Sequence, residues 1–321
     1  MKILVTGGAG YIGSVVTTQL VEAGHEVIVV DKAARKAKDF LPESVKLIDA
    51  DITEVGELLT KADGIEAVLH FAALIAAGES MQKPELYWQN NTIGSIALIK
   101  ALRELEIKKL IFSSTAAVYG NPKHIPITEE TEKDPTNTYG MTKLAVDMAI
   151  TSECWAHGLA ATSLRYFNVA GAYNKCGERH AVETHIIPLA FDAAVNGRPF
   201  QLFGDDYPTD DGTCVRDYIH VADLARAHLL ALENLQPGAH SIYNLGNGRG
   251  FSNKQVIDTV EKVTGRKLTV EMRPRREGDP AILVASSEKA YKELEWIPQK
   301  PELDTIIADA WDFYQRSLLS S

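Results

Sequence analysis

Over its first 171 residues the chain alternates short β-branched runs with longer amphipathic stretches, and few folds accept that alternation. The runs fall at residues 3–6, 26–31, 46–51, 67–72, 109–113 and 161–167. They are almost continuously apolar, as strands covered on both faces are; a strand with one wet face would alternate with polar residues. Helical spacing fills the gaps at 11–23, closing at Gly24, at 84–106, opening with Pro84 in its first turn, and at 139–157, closing at Gly158. Parallel strands need crossovers of about this length. The expectation is an α/β fold, a doubly wound parallel sheet of Rossmann type, spanning 1–171.

Beyond Gly171 the alternation lapses into a loop rich in Gly, Lys and Glu. Helical spacing returns at 185–195, 221–234, 253–264, 287–294 and 303–316, with strand candidates at 200–203, 241–245 and 268–273. These predict a smaller α/β unit over 172–321, with interleaving of segments allowed. No Pro/Gly/Ser linker divides the halves, so the second should pack on the sheet's carboxyl edge, and the cleft between them is the expected binding site.

Charge narrows the partners. Lys and Arg number 33 against 43 Asp and Glu, a formal net charge of −10, which repels nucleic acid and anionic membrane surfaces. A local cluster such as Arg273, Arg275 and Arg276 still suits an anionic small ligand. Cys154, Cys176 and Cys214 are odd in number and lack CxxC spacing, so they read as buried small hydrophobes in a reducing compartment. No disulfide framework and no metal site are expected. The apolar start at residues 3–5 is too short for a signal peptide or a membrane span, and the reading is cytoplasmic.

Thr6-Gly7-Gly8-Ala9-Gly10-Tyr11-Ile12-Gly13 sits where the first strand gives way to the first helix. Gly7 allows the tight turn, Gly10 lets a pyrophosphate approach the helix N-terminus, and Gly13 lets helix and strand pack closely. Asp31 closes the second strand, where a carboxylate meets the adenosine ribose hydroxyls and repels a 2′-phosphate. NAD is therefore expected over NADP, with Lys32 and Arg35 as the opposing signal. Asp51-Ile52 is placed either to cap the adenine edge or simply to cap a helix.

Tyr139-Gly140-Met141-Thr142-Lys143 puts Tyr139 and Lys143 on one helical face. An ammonium there should favour phenolate over phenol, whose ordinary pKa is about 10. A core tyrosine with a surface lysine gives the same spacing. What separates the readings is Thr115, which leaves the fifth strand toward the same carboxyl edge. Hydroxyl, phenol, ammonium and nicotinamide together describe hydride transfer at a secondary alcohol.

The chain resembles the extended short-chain dehydrogenase/reductase family, and within it the UDP-glucose 4-epimerases, over nearly its whole length. The likeness is carried by TGGAGYIG from Thr6, HFAA from His70, GES from Gly78, KPELYWQNN from Lys83, FSSTAAVYG from Phe112, YGMTK from Tyr139, LRYFNVAGA from Leu164, DGTCVRDYIHV from Asp211, YNLGNG from Tyr243 and PRREGD from Pro274. It implies an NAD site lined by Gly7, Gly10, Tyr11, Ile12, Asp31, Asp51, Ile52, Phe71, Ala72, Asn90, Tyr139, Lys143 and Phe167. It implies Thr115 and Tyr139 beside the sugar 4-hydroxyl, Asn168, His185, Arg216 and Arg276 holding UDP, and Asp279 near the ribose. Guanidinium forks suit a diphosphate. Ile75 departs from the family, many of whose members carry Lys there.

The resemblance further implies a homodimer built from the stripes Ile96, Ile99, Leu102, Leu105 and Leu144, Met148, Trp155, and it places Leu283 beside the sugar's 2-substituent. The function it implies is interconversion of UDP-galactose and UDP-glucose through a transient 4-ketose with tightly bound NAD; the alternatives are a 4-epimerase of UDP-N-acetylglucosamine or a UDP-uronic acid, and then a nucleotide-sugar dehydratase or a non-catalytic NAD-binding protein. Ala116 and Ala117 stand where a dehydratase carries its carboxylate pair, which disfavours dehydration.

Overall fold

A computed structural model describes residues 1–180, 183–276 and 279–319. β1 (Lys2–Thr6), β2 (Glu26–Asp31), β3 (Lys46–Asp49), β4 (Ala67–His70), β5 (Lys109–Thr115) and β6 (Ala160–Tyr166) form one parallel sheet with a seventh strand, His240–Leu245. Their spatial order is His240–Leu245, β6, β5, β4, β1, β2, β3. The apolar runs pleat as expected of strands covered twice. Ile3, Val5, Val29, Leu69 and Ile111 join the core on one face, and Leu4, Ile28, Val30, Val68, Leu110 and Phe112 join the core on the other.

The strand order reverses at β1, between β4 and β2, and the helix α1 (Tyr11–Glu22) starts there. This switch point opens a crevice at the carboxyl ends of the strands. α1 packs on the helix Val221–Glu233, and that helix leads straight to the seventh strand. The central sheet thus draws a strand from beyond residue 171. On the opposite face lies the helix Thr138–His157, whose Asn137 side chain accepts from Gly140 N at 2.9 Å and whose C-terminal turn closes on left-handed Gly158.

Two expected elements are modified. β3 ends at Asp49, because Asp51 caps the 3₁₀ turn Ile52–Glu54 in a capping box. The stretch 84–106 divides into Pro84–Tyr87, a π-helical segment Trp88–Ile93, and Gly94–Glu104. A π-segment widens a turn by one residue, commonly beside a functional site.

The remaining strands are short. Val215–His220 pairs with Asn168–Ala170, Gly250–Ser252 and Ile282–Leu283, while Phe200–Phe203 pairs with Val270–Arg273. They enclose a separate core that includes Phe191, Leu202, Tyr218, Val256, Ile306 and Trp311. Cys154, Cys176 and Cys214 are free and buried. Among the described residues no helix is long and apolar enough to cross a membrane.

Candidate active site

The glycine loop is tight because side chains are absent where backbone must pass. Gly7 is left-handed, and a Cβ on it would lie 2.4 Å from Ala72 N. A Cβ on Gly13 would lie 2.2 Å from Gly7 O, whereas one on Gly10 would meet only Gly7 O at 3.3 Å. The open side of Gly10 faces the cavity. Asp31 accepts from Ala9 N at 3.0 Å and from Ala33 N at 2.8 Å, which fixes its carboxylate across the loop. Lys32 pairs with Asp51, and Arg35 with Asp49 at 2.8 Å, so both cations that could answer a 2′-phosphate are already engaged. The cradle fits a dinucleotide without that phosphate.

Lys143 lies one helical turn beyond Tyr139. It is 2% exposed and donates to Ser113 O at 2.8 Å, with its Nζ 4.8 Å from the Phe112 ring centre. Burial lowers its pKa to about 7, with Asp147 opposing. Burial pushes Tyr139 up to about 12, with Thr115 opposing. Sequence analysis expected the ammonium to favour the phenolate. Here Lys143 faces a carbonyl, and desolvation governs both groups.

Tyr139 is held from behind. Its N–H donates to Ser80 Oγ at 3.1 Å, Ser80 in turn donates to Ala77 O, and Thr142 Oγ1 donates to Tyr139 O at 2.7 Å. Thr115 accepts from Ala117 N at 3.1 Å, which leaves the hydroxyl hydrogen to be shared elsewhere.

A cavity of about 440 Å³ gathers Gly7, Gly10, Tyr11, Ile12, Gly13, Phe71, Thr115, Tyr139, Lys143, Phe167, Asn168 and His185. Ile75 lines it too. Asp31, Asp51, Ile52, Ala72 and Asn90 stand outside this lining. Ile52 is buried in the core, Asp51 serves as a cap, and Asn90 donates to Asn91 Oδ1 at 3.1 Å. Arg276 and Asp279 line a second cavity of about 500 Å³ with Asn121 and Tyr207. There Arg276 lies 4.2 Å over the Phe203 ring, and Arg216 is paired with Asp279. Leu283 stands beside Arg216 in strand register and packs in a cluster with Phe167, Val118 and Tyr119. Glu277 and Gly278 of the PRREGD motif lie outside the described residues.

Sequence reasoning missed two features. Asn91 clamps Leu74, accepting from its N–H and donating to its carbonyl, and also donates to Thr142 Oγ1 at 3.2 Å. It stands beside Asn90 in a motif already noted. The cavity wall also includes Glu178 and His180, which with Glu183 and His185 form a cluster of imidazoles and carboxylates. Pairing with Glu178 and Glu183 raises His180 to about 9. For His185 burial opposes, but the same carboxylates outweigh it and raise the group to about 10. The signal in the sequence was the repeated Glu-x-His at 178/180 and 183/185.

Residues 3–246 match the NAD dependent epimerase/dehydratase family. The UDP-glucose 4-epimerase of Corynebacterium glutamicum is 52% identical over 98% of this chain and 95% of its own length, and that of Streptomyces lividans 49% identical over 98% and 96%. The crystal structure of UDP-glucose 4-epimerase from Stenotrophomonas maltophila, with bound NAD and formylated UDP-arabinopyranose, superposes with a TM-score of 0.94 at 37% identity, covering 100% of both chains. A glycine cradle for NAD, a Tyr/Lys/Thr constellation in the same cavity and this breadth of similarity lead to one statement: the chain belongs to the NAD dependent epimerase/dehydratase family, among relatives of the UDP-glucose 4-epimerases.

Proposed function

We propose that this chain is a UDP-hexose 4-epimerase that interconverts UDP-galactose and UDP-glucose with tightly bound NAD, a step of galactose metabolism. The observation that carries the reading is that Tyr139, Lys143 and Thr115 line the same cavity as Gly7 and Gly10. Residues 1–171, with the strand His240–Leu245 interleaved into their sheet, hold NAD, and residues 172–321 supply most of the hold on the sugar nucleotide. When bound, NAD supplies a hydride acceptor that can also return the hydride. Tyr139 acts as the phenolate, which the positive charge of a bound nicotinamide would favour against the desolvation that raises it in the empty cavity; its Oη takes the proton of the sugar 4-hydroxyl as the C4 hydrogen departs with its electron pair, and Thr115 shares that hydroxyl. The 4-ketose turns within the cavity, then regains hydride on its other face and the proton from Tyr139. Lys143, buried against Ser113, orients the reacting edge.

Asn168, His185, Arg216 and Arg276 hold UDP, with Asp279 near its ribose. Binding energy is then spent on the part that does not react, and the hexose stays free to turn. Gly7, Gly10, Tyr11, Ile12, Gly13, Asp31, Asp51, Ile52, Phe71, Ala72, Asn90 and Phe167 serve the cofactor. The single incubation that tests the reading is with UDP-galactose: UDP-glucose should accumulate to a fixed ratio from either direction, and an unchanged sugar refutes it.

The protein is further proposed to be a cytoplasmic homodimer. Of the expected stripes, Ile99 and Leu102 turn into the core. Trp155 is 80% exposed and Met148 65%, and Ile93 and Ile96, on the neighbouring stretch, are exposed as well. Large apolar side chains gathered on two helices suit burial against a second copy. Light scattering should give twice 35.2 kDa at micromolar concentration; the mass of one chain refutes the dimer.

A further inference from the structure

Glu178, His180 and His185 line the cavity, and with Glu183 they form a donor set of which the reaction just described uses only His185, toward UDP. Glu178 and His180, then Glu183 and His185, repeat the step Glu-x-His five residues later. One ligand atom from each lies within 4.8 Å of all the others. His185 Nδ1 is 2.7 Å from Glu178 and 2.9 Å from Glu183, and His180 Nδ1 is 3.0 Å and 3.6 Å from the same carboxylates. A tetrahedral zinc ion with ligands at about 2.0–2.1 Å would space them about 3.3 Å apart. The observed separations bracket that value.

We propose that Glu178, His180, Glu183 and His185 form a binding site for a divalent cation of the zinc class on the wall of the cavity. The two imidazoles are borderline donors, and their presence beside two carboxylates makes a mixed nitrogen and oxygen set that suits Zn²⁺ or Co²⁺ better than Mg²⁺ or Ca²⁺. Their formal charges cancel those of the ion. No Lys or Arg pairs with Glu178 or Glu183 among the described residues, and Arg179, inside the same run, turns away to lie 4.5 Å over both Phe40 and Phe313. Glu183 is held in place by the N–H groups of Thr184 and His185, each at 2.7 Å, the kind of support that orients a metal-ligating carboxylate. Sequence analysis expected no metal because it weighed cysteine spacing; this is a different donor class. The ion would brace the segment that runs from the cavity into the helix Ile186–Asn196.

The site is tested without any sugar nucleotide, so its fate is separate from that of the epimerase reading. Protein with its NAD retained, freed of metal by a chelator and dialysed, is titrated with Co²⁺ and then Zn²⁺. The expected result is one equivalent of Co²⁺ showing the intense visible bands of tetrahedral coordination, displaced by one equivalent of Zn²⁺. His180→Ala and Glu183→Gln should each weaken Co²⁺ binding at least tenfold, while His157→Ala, at the opposite end of the helix that carries Tyr139, should leave it unchanged. Absence of tetrahedral bands, or equal binding by His180→Ala and the unaltered chain, would overturn the proposal and leave an imidazolium–carboxylate cluster.

Discussion

Where β5 meets the helix Thr138–His157, Lys143 is buried beside a carbonyl and an aromatic ring and Tyr139 stands half-buried in the cavity, and desolvation drives each toward its neutral form. Where Glu178, His180 and His185 line the same cavity, with Glu183 beside them, the two carboxylates hold both imidazoles as cations as long as no ion binds there. The pH dependence of stability therefore has opposite signs on the two walls. Between pH 7 and about 10.5 the unfolded chain keeps a proton on Lys143 that the folded chain releases, so this group makes stability rise with pH. The histidines contribute stability fully below their ordinary value near 6.5, and lose it as pH passes 9 to 10.

The comparison breaks first at Tyr139. Replacing it with Phe removes only the proton-transfer hydroxyl, so turnover should fall by roughly 10²–10⁴ with NAD content preserved. Unchanged turnover would remove Tyr139 from the reaction. Leu283 sharpens the other side, since it stands next to Arg216 and packs with Phe167. Leucine leaves room beside the sugar's 2-substituent, and measurable but weaker epimerisation of UDP-N-acetylglucosamine is expected. Leu283→Tyr should cost that substrate about 1–3 kcal/mol in kcat/KM and spare UDP-galactose. Equal loss on both sugars would place the wall elsewhere. The smallest effect is on melting: the Tm of the unaltered chain minus that of Lys143→Met should grow between pH 7 and 10. A constant difference would mean that Lys143 stays charged when folded.

Much of the first wall could be read from residue order. β1 to β6 are runs long enough for their pattern to identify them, and Tyr139 and Lys143 share a face through helical spacing alone. The seventh strand, His240–Leu245, was visible as a strand, but its place beside β6 depends on the helix Val221–Glu233 packing against α1, which no local period encodes. Asn168–Ala170, Gly250–Ser252 and Ile282–Leu283 are too short to show any period. Spacing placed Lys143 near Tyr139 but could not reveal that the carbonyl of Ser113 would receive its ammonium. On the second wall His185 was named for UDP, but Glu178, His180 and Glu183 were missed, because only the repeated Glu-x-His hints that these side chains meet.

The central claim is that one hydrogen leaves C4 of the sugar and returns to the same carbon while Tyr139 handles the proton. UDP-galactose carrying deuterium at C4 tests it directly, with the product analysed by mass spectrometry and proton NMR after conversion in ordinary water. The account predicts UDP-glucose that keeps its deuterium at C4. Product that has exchanged this position with solvent, or substrate that is not converted at all, would contradict it.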